Sequence, residues 1–172
     1  MRLRVGLDLD DTIFSFMEPY RKRFGIPKDE YEITRNVERV LKKDKKWWLN
    51  QPLINRPNFE VALYCTKRVH RKEWTKEQLM LHNLPIAPIY QVFNQSRNKA
   101  DLIKGRVDVF IDDSVSNFIH MNKAGLPCLL LNTKYNQHWG PIGRIYSLNM
   151  EEIEDSYHLF MDTLFLHFKE LL

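Results

Sequence analysis

The sequence contains few of the residues that mark specialised protein classes. Two cysteines in 172 residues are too few for the disulfide framework of a small secreted domain. Six glycines and eight prolines exclude collagen-like and low-complexity chains. No apolar run approaches the ~20 residues of a membrane-spanning helix. The glycine-rich loops of Walker A and dinucleotide-binding motifs are also missing, which argues against chemistry on nucleoside triphosphates or NAD.

The cysteines and the charge balance point to an ordinary intracellular protein. Cys65 and Cys128 both lie in apolar stretches, which is typical of buried side chains. The N-terminus leads directly into a strand pattern and not into a signal peptide. We therefore expect a reducing, cytoplasmic compartment and no membrane partner. With 26 basic and 22 acidic residues the net charge is +4, which favours anions such as phosphates without requiring nucleic acid.

Strand and helix patterns alternate along the chain. A capping-box pattern at Thr75 and Gln78 predicts one helix, residues 117–125 predict a second, and Asn149 with Glu152 predicts the last. Such alternation indicates an α/β fold, a Rossmann-like parallel sheet with helices on both faces. Apolar runs of strand length occupy residues 3–9, 61–66, 88–93, 107–112 and 126–132. The last helix carries an apolar stripe, which we interpret as core packing, at Ile153, Tyr157, Met161, Leu164, Phe165, Phe168 and Leu172.

A long segment between the first two strands interrupts this alternation. Residues 14–60 are rich in aromatic and basic side chains, and prolines divide them into short stretches. Because a usual crossover is much shorter, we interpret the segment as a small helical cap inserted after the first strand. Residues 1–13 and 61–172 then form the α/β core.

Acidic residues follow two of the predicted strands. Asp8, Asp10 and Asp11 end the first strand, and Asp112 and Asp113 end a later one. Grouped carboxylates repel one another unless a cation neutralises them. In an open parallel sheet, ligands bind at the carboxyl ends of the strands. The two acidic clusters are therefore expected to converge on one divalent cation, and ligation by oxygen alone favours Mg²⁺.

Four segments in order resemble the motifs of the haloacid dehalogenase-like phosphohydrolases. Their first motif, D-x-D-x-T/V after a strand, is matched at residues 8–12, and Thr66 ends a second apolar strand as their second motif requires. Lys99 matches the third motif, and the pair Asp112-Asp113 matches the fourth. The motifs span about 105 residues, and each lies at or before a strand end.

Within that superfamily the chain is most similar to the small 5'(3')-deoxyribonucleotidases and related bacterial and phage proteins. Their helical cap corresponds to residues 14–60, and residues 144–148 before an acidic helix match their C-terminal pattern. One residue departs from the pattern. Asp11 stands where relatives commonly carry glycine, which adds negative charge near the site.

The resemblance implies a Mg²⁺-dependent phosphatase, an enzyme that hydrolyses phosphate monoesters. Asp8 would attack phosphorus and form an aspartyl-phosphate that water then hydrolyses. Asp10 would exchange the proton with the leaving group and with water, and its backbone carbonyl would bind the metal. Asp113 is favoured as a direct metal ligand beside Asp8, with Asp112 supporting it, although the sequence leaves their order open. The phosphate group would be bound by Thr66, the backbone N–H of Lys67 and the ammonium of Lys99.

Aromatic residues of the cap suggest the substrate. Phe14 and Phe16 follow the first motif closely, and Trp47 and Trp48 lie on the same insertion. Aromatic faces stack on nucleobases, so a (deoxy)nucleoside monophosphate is the expected small-molecule substrate. The alternative is that these rings only hold the cap on the sheet.

Other interpretations remain open at this level. The substrate could be another monoester, including a DNA or RNA end bound by the basic run 42–46, although nucleic acid is not favoured. The chain could also be a non-catalytic binding module on the same scaffold. Cys65 and Arg71 fit the C-x5-R pattern of cysteine phosphatases, but the loop has no glycine. The sequence predicts neither the base, the sugar nor the oligomeric state.

Overall fold

A parallel six-stranded sheet forms the centre of the protein. The computed structural model describes residues 2–92 and 98–163. Its strands lie side by side in the order β3-β2-β1-β4-β5-β6, and every neighbouring pair is parallel. This confirms the predicted α/β fold of the Rossmann-like type. The strands are β1 (Val5–Leu7), β2 (Leu63–Thr66), β3 (Ile89–Gln91), β4 (Val109–Asp112), β5 (Cys128–Leu131) and β6 (Arg144–Ile145).

The five predicted strands are present in shortened form, and β6 was not predicted. Two residues are too short a run to show strand periodicity. Phe93, at the end of the third predicted strand, lies outside the described residues. On β1, Gly6 allows close packing, because a Cβ atom there would lie 2.8 Å from Cδ2 of Phe110 on β4. The two central strands are therefore held in close contact.

Seven α-helices are found among the described residues, three of them between β1 and β2. No helix in these ranges is long and apolar enough to cross a membrane. The insertion contains α1 (Met17–Phe24), α2 (Glu30–Arg39), a 3-10 turn (Leu41–Lys43) and α3 (Lys45–Leu49). The helices that follow are α4 (Lys72–Leu81), α5 (Lys99–Ile103), α6 (Val115–Lys123) and α7 (Met150–Thr163).

The predicted capping box on α4 is wrong. The helix begins at Lys72 after Arg71, so Thr75 and Gln78 lie inside it and are buried. Gln78 uses its side chain in tertiary hydrogen bonds, to Arg68 and to the backbone of Trp48. A local sequence pattern gave the wrong boundary because the partners of Gln78 are distant in sequence.

The first residues of α6 and α7 agree more closely with the prediction than that of α4. Helix α6 starts two residues before the predicted residue 117, because the Ser114 hydroxyl accepts a hydrogen bond from Asn117 N–H. At the start of α7, Asn149 Oδ1 accepts from Glu151 N–H at 2.9 Å. The Glu152 carboxylate instead accepts from Tyr146 N–H and from a neighbouring hydroxyl. Ile153, Tyr157 and Met161 of the predicted stripe pack into the core, whereas Leu164, Phe165, Phe168 and Leu172 lie outside the described residues.

The insertion has a hydrophobic cluster of its own, separate from the core around the sheet. Tyr20, Leu41 and Trp48 are buried at its centre. The indole Nε1 of Trp48 donates to the Leu41 carbonyl at 2.8 Å, which joins α3 to the 3-10 turn. Trp74 of α4, which lies outside the insertion, packs against the same cluster. We call residues 14–60 the cap below.

Candidate active site

Three aspartates meet where the sheet order changes direction. From β1 the chain continues to β2 and β3 on one side and later to β4, β5 and β6 on the other. Ligands of open parallel sheets bind at such a switch point. Asp8 follows β1, and Asp112 and Asp113 end and follow the adjacent β4. One carboxylate oxygen from each of the three aspartates lies within 4.8 Å of the other two.

Lys99 lies between two of these carboxylates. It is the first residue of α5, and its side chain is only 2% exposed. Its Nζ donates to Asp8 Oδ1 at 2.5 Å and to Asp112 Oδ2 at 2.6 Å. The structure therefore brings together four residues that the sequence singled out, although they come from three separate segments.

The two aspartates after β4 have different surroundings. Asp112 accepts hydrogen bonds from Ser114 N–H at 2.9 Å and from the Asn117 side chain at 3.0 and 3.1 Å, besides its ion pair. Asp113 accepts only one long bond within the described residues, from the Thr12 hydroxyl at 3.4 Å. The Asp113 carboxylate thus has spare oxygen lone pairs, whereas that of Asp112 is held by the protein. Asn117 was missed by sequence reasoning; its place one turn after the acidic pair was the available signal.

Burial makes the negative charge of this cluster costly. It raises the pKa of Asp8 to about 7, with Asp112 and Asp10 adding to the rise and Lys99 opposing it. Burial also raises the pKa of Asp113 well above its usual value, and Asp112 and Asp8 contribute to that rise. Burial acts against the ammonium of Lys99 too, but the carboxylates of Asp112 and Asp8 outweigh it and raise the pKa of that group.

The donor set fits a divalent cation. Three carboxylates face one ammonium, so the ionised cluster carries two excess negative charges. All of its ligand atoms are oxygens, and no thiolate or imidazole from the described part of the chain belongs to the cluster. Hard oxygen ligands of this kind select Mg²⁺ rather than softer metals.

Asp10 has a partner that the sequence did not predict. Its carboxylate accepts from Arg68 Nη2 at 2.7 Å and from Arg68 Nε at 3.0 and 3.1 Å. The Arg68 side chain is fully buried, on the loop between β2 and α4. Only its basic character and its place two residues after Thr66 were visible in the sequence.

The expected phosphate-binding residues end β2 and begin that loop. Thr66 is buried, and its hydroxyl accepts from Arg68 N–H at 3.2 Å. Lys67 is exposed and, with Lys99, lines a small cavity beside the carboxylates. The Gln91 side chain donates to the carbonyls of Arg68 and His70, at 3.3 and 3.0 Å, which fixes the course of the loop.

The Asp11 side chain binds the backbone of the cap. Its carboxylate accepts from Phe16 N–H at 2.9 Å and from Met17 N–H at 3.2 Å, at the start of α1. Burial raises its pKa to about 6 although these hydrogen bonds oppose the rise. Its φ is +57°, in the left-handed region that glycine adopts freely and that Asp and Asn tolerate best among the other residues. This explains how Asp11 occupies a position that otherwise suits glycine.

The structure separates the four candidate aromatic residues into two pairs. Phe14 is buried in the core around the sheet, and Trp48 is buried in the cap. Phe16 and Trp47 are only partly buried and meet edge to face, with ring centroids 5.6 Å apart. Of these four residues, only the second pair is partly exposed.

The cysteine-phosphatase interpretation does not fit the structure. Cys65 is buried in β2, and burial raises the pKa of its thiol to about 12. A nucleophilic cysteine needs a lowered pKa.

A scan against protein-family models and a search of the curated proteins both find no match for this chain. The functional assignment therefore depends on the geometry of the site.

Proposed function

We propose that this protein is a Mg²⁺-dependent phosphomonoester hydrolase of the haloacid dehalogenase-like type, which forms an aspartyl-phosphate on Asp8. One observation supports this most strongly: Asp8, Asp112, Asp113 and Lys99 converge at the switch point of a parallel sheet. A cluster with two excess negative charges suits a bound cation. A buried carboxylate beside an ammonium suits attack on a phosphoryl group.

The bound Mg²⁺ would be held by Asp8, Asp113 and the backbone carbonyl of Asp10, with Asp112 beside it. When bound, it supplies positive charge that offsets the repulsion between the phosphoryl oxygens and the attacking carboxylate. Lys99 supplies a second positive charge within reach of Asp8. Lys99 thus contributes its charge to the same carboxylate cluster that would hold the metal.

The reaction proceeds in two steps on this chain's residues. A carboxylate oxygen of Asp8 forms a bond to phosphorus while the bond between phosphorus and the ester oxygen breaks. Asp10, which takes up a proton from water before this step, gives that proton to the leaving oxygen. Water then attacks the phosphorus of the aspartyl-phosphate and gives its proton to Asp10. Inorganic phosphate leaves, and Asp8 is regenerated.

A nucleoside monophosphate is the substrate class that the cap favours. Phe16 and Trp47 are partly exposed and lie on the cap, the segment inserted after Asp8 and Asp10. Stacking of one base on such a ring contributes about 1–3 kcal/mol. A small sugar phosphate has no flat surface and gains little from these rings.

The test of this function is a panel of phosphate monoesters assayed with Mg²⁺ and with EDTA. We expect Mg²⁺-dependent release of phosphate, which Asp8→Asn abolishes because an amide cannot become the phosphoryl carrier. Asp108→Asn is the matched control, because Asp108 pairs with Arg4 at the surface, next to the amino end of β4. Binding of monoesters without any turnover would favour the non-catalytic module instead.

Substrate class is tested by Phe16→Ala and Trp47→Ala. We expect kcat/KM for deoxynucleoside monophosphates to fall about tenfold, which corresponds to roughly 1.4 kcal/mol, while kcat/KM for glycerol phosphate changes little. Phe24→Ala is the control, because Phe24 packs in the cap cluster and should affect both substrates alike. Equal losses for both substrates would leave a phosphatase without nucleotide selection. A preference for oligonucleotide ends would favour the nucleic-acid alternative.

A further inference from the structure

Arg68 connects the candidate proton-transfer group to the cap. Besides its three contacts with Asp10, its Nη2 donates to Gln51 Oε1 at 2.9 Å and its Nη1 donates to Gln78 Oε1 at 2.7 Å. Gln51 lies in the cap just after α3, and Gln78 lies on α4. One buried guanidinium therefore contacts Asp10, the cap and helix α4 at once.

Aromatic rings and hydrogen-bond acceptors surround the Arg68 guanidinium. Its faces lie near the rings of Phe14 and Trp48, at 5.6 and 5.0 Å from the ring centroids. The N–H groups at its edge donate hydrogen bonds to Asp10 and to the two glutamines. A buried cation requires a charged partner, and its hydrogen-bonded anion is Asp10. The orientation of the Asp10 carboxylate is thus set by a group that has little freedom to move.

The link to the cap continues through the second glutamine. Gln78 Nε2 donates to the carbonyl of Trp48, in α3, at 2.6 Å. Displacement of the cap would remove the Gln51 acceptor, the Trp48 ring and the anchor of Gln78 together. Gln51 and the Trp48 ring contact the Arg68 guanidinium directly, and the Trp48 carbonyl holds Gln78, which contacts it too.

We infer that Arg68 is a positioning residue, which orients Asp10 for proton transfer and makes that orientation depend on the seated cap. The inference rests on the proposed phosphatase function. Proton transfer requires heavy atoms at ~2.6–3.2 Å, and a misplacement of about 1 Å costs about 100-fold in rate. Arg68 itself exchanges no proton with the substrate.

Arg68→Lys is the informative substitution. Lysine keeps the positive charge but presents a point charge instead of a planar fork, so it cannot bind both Asp10 oxygens and both glutamines at once. We expect kcat to fall about 100-fold while KM changes little. Arg71→Lys, on the exposed end of the same loop, is the matched control and should leave both parameters unchanged.

The experiment is a double-mutant cycle with Asp10→Asn, measured on the best monoester with Mg²⁺. If Arg68 acts through Asp10, Arg68→Lys should change kcat by no more than about twofold once Asp10 is Asn, because effects that share one residue are not additive. A merely structural role would give the same loss in both backgrounds and would overturn the inference. Thermal unfolding of each protein shows whether it remains folded.

Gln51→Met tests the link to the cap and covers the case in which Arg68→Lys does not fold. It removes the cap's acceptor while leaving Arg68 and Asp10 in place. We expect a fall in kcat of about tenfold, which disappears in the Asp10→Asn background. An unchanged kcat would overturn the dependence on the cap. Absence of hydrolysis by the wild-type protein would overturn the proposed function as well, whereas an active enzyme with additive losses would overturn only the role of Arg68.

Discussion

Asp8→Asn should stop turnover and yet stabilise the metal-free protein. The carboxylate of Asp8 is buried next to Asp112 and near Asp10, and Lys99 only partly offsets these unfavourable terms. An asparagine of the same shape removes the negative charge and keeps an oxygen that can accept from Lys99. The substitution therefore relieves electrostatic strain that the wild-type site retains for its function.

The pKa of Asp8 gives the size of the effect. Its rise from 3.8 to about 7 corresponds to about 4 kcal/mol at ~1.4 kcal/mol for each pH unit. Between these pH values the folded protein holds a proton that the unfolded chain has released, so wild-type stability falls as pH rises through the window. The advantage of the variant should be absent below about pH 4 and complete above about pH 7. For a chain of this size, 4 kcal/mol corresponds to about 10 °C in melting temperature.

The assay is urea or thermal unfolding of both proteins between acidic and weakly alkaline pH, in EDTA and in Mg²⁺. Mg²⁺ should stabilise the wild type above pH 7, because we propose that it binds the folded carboxylate cluster, and it should stabilise the variant less. Titrating groups that do not interact with Asp8 cancel in the difference between the two proteins, whereas the pKa of Asp113, which Asp8 helps to raise, falls in the variant and adds to its gain. Asp108→Asn, which only breaks the surface pair with Arg4, should show no gain at any pH. A variant less stable than wild type at pH 8 in EDTA would refute the reasoning.

Three further substitutions or titrations probe other parts of the structure. Lys99→Met should lower the free energy of unfolding by about 3–5 kcal/mol at neutral pH, measured in urea, because it leaves buried carboxylates without their cation. His70 should remain neutral until about pH 4 in an NMR titration, because burial and nearby Arg68 lower its pKa to that value; its contribution to stability should be lost as pH falls from about 6.5 to about 4. Gly6→Ala should cost about 1–3 kcal/mol in thermal unfolding, because the new methyl group would meet Phe110.

The sheet and its carboxylate cluster were predictable because they follow from local patterns and one topological rule. Apolar runs mark the strands, and parallel strands present their carboxyl ends at one edge. Asp8 and Asp112 therefore had to lie near each other once their strands were neighbours. Strand β6 was missed, because the two residues at Arg144–Ile145 pair with β5 without any periodic pattern.

The network around Asp10 was not predictable from local pattern. Arg68 is 58 positions from Asp10 in the sequence, and Gln51 and Gln78 are neutral residues with no motif of their own. Gln78 even suggested a false helix start, because its spacing from Thr75 imitates a cap. The sequence also did not predict which aromatic residues of the cap are buried. Trp47 and Trp48 are adjacent on α3, yet only Trp48 is buried at the centre of the cap cluster, and that difference depends on tertiary packing.

The most direct test of the central claim is mass spectrometry of the protein after acid quenching during turnover with Mg²⁺ and the best phosphate monoester. We expect a phosphoryl group on the peptide that contains Asp8. We expect none when EDTA replaces Mg²⁺, and none in Asp8→Asn. Efficient hydrolysis with no phosphorylated Asp8, or with the phosphoryl group on another residue, would contradict it.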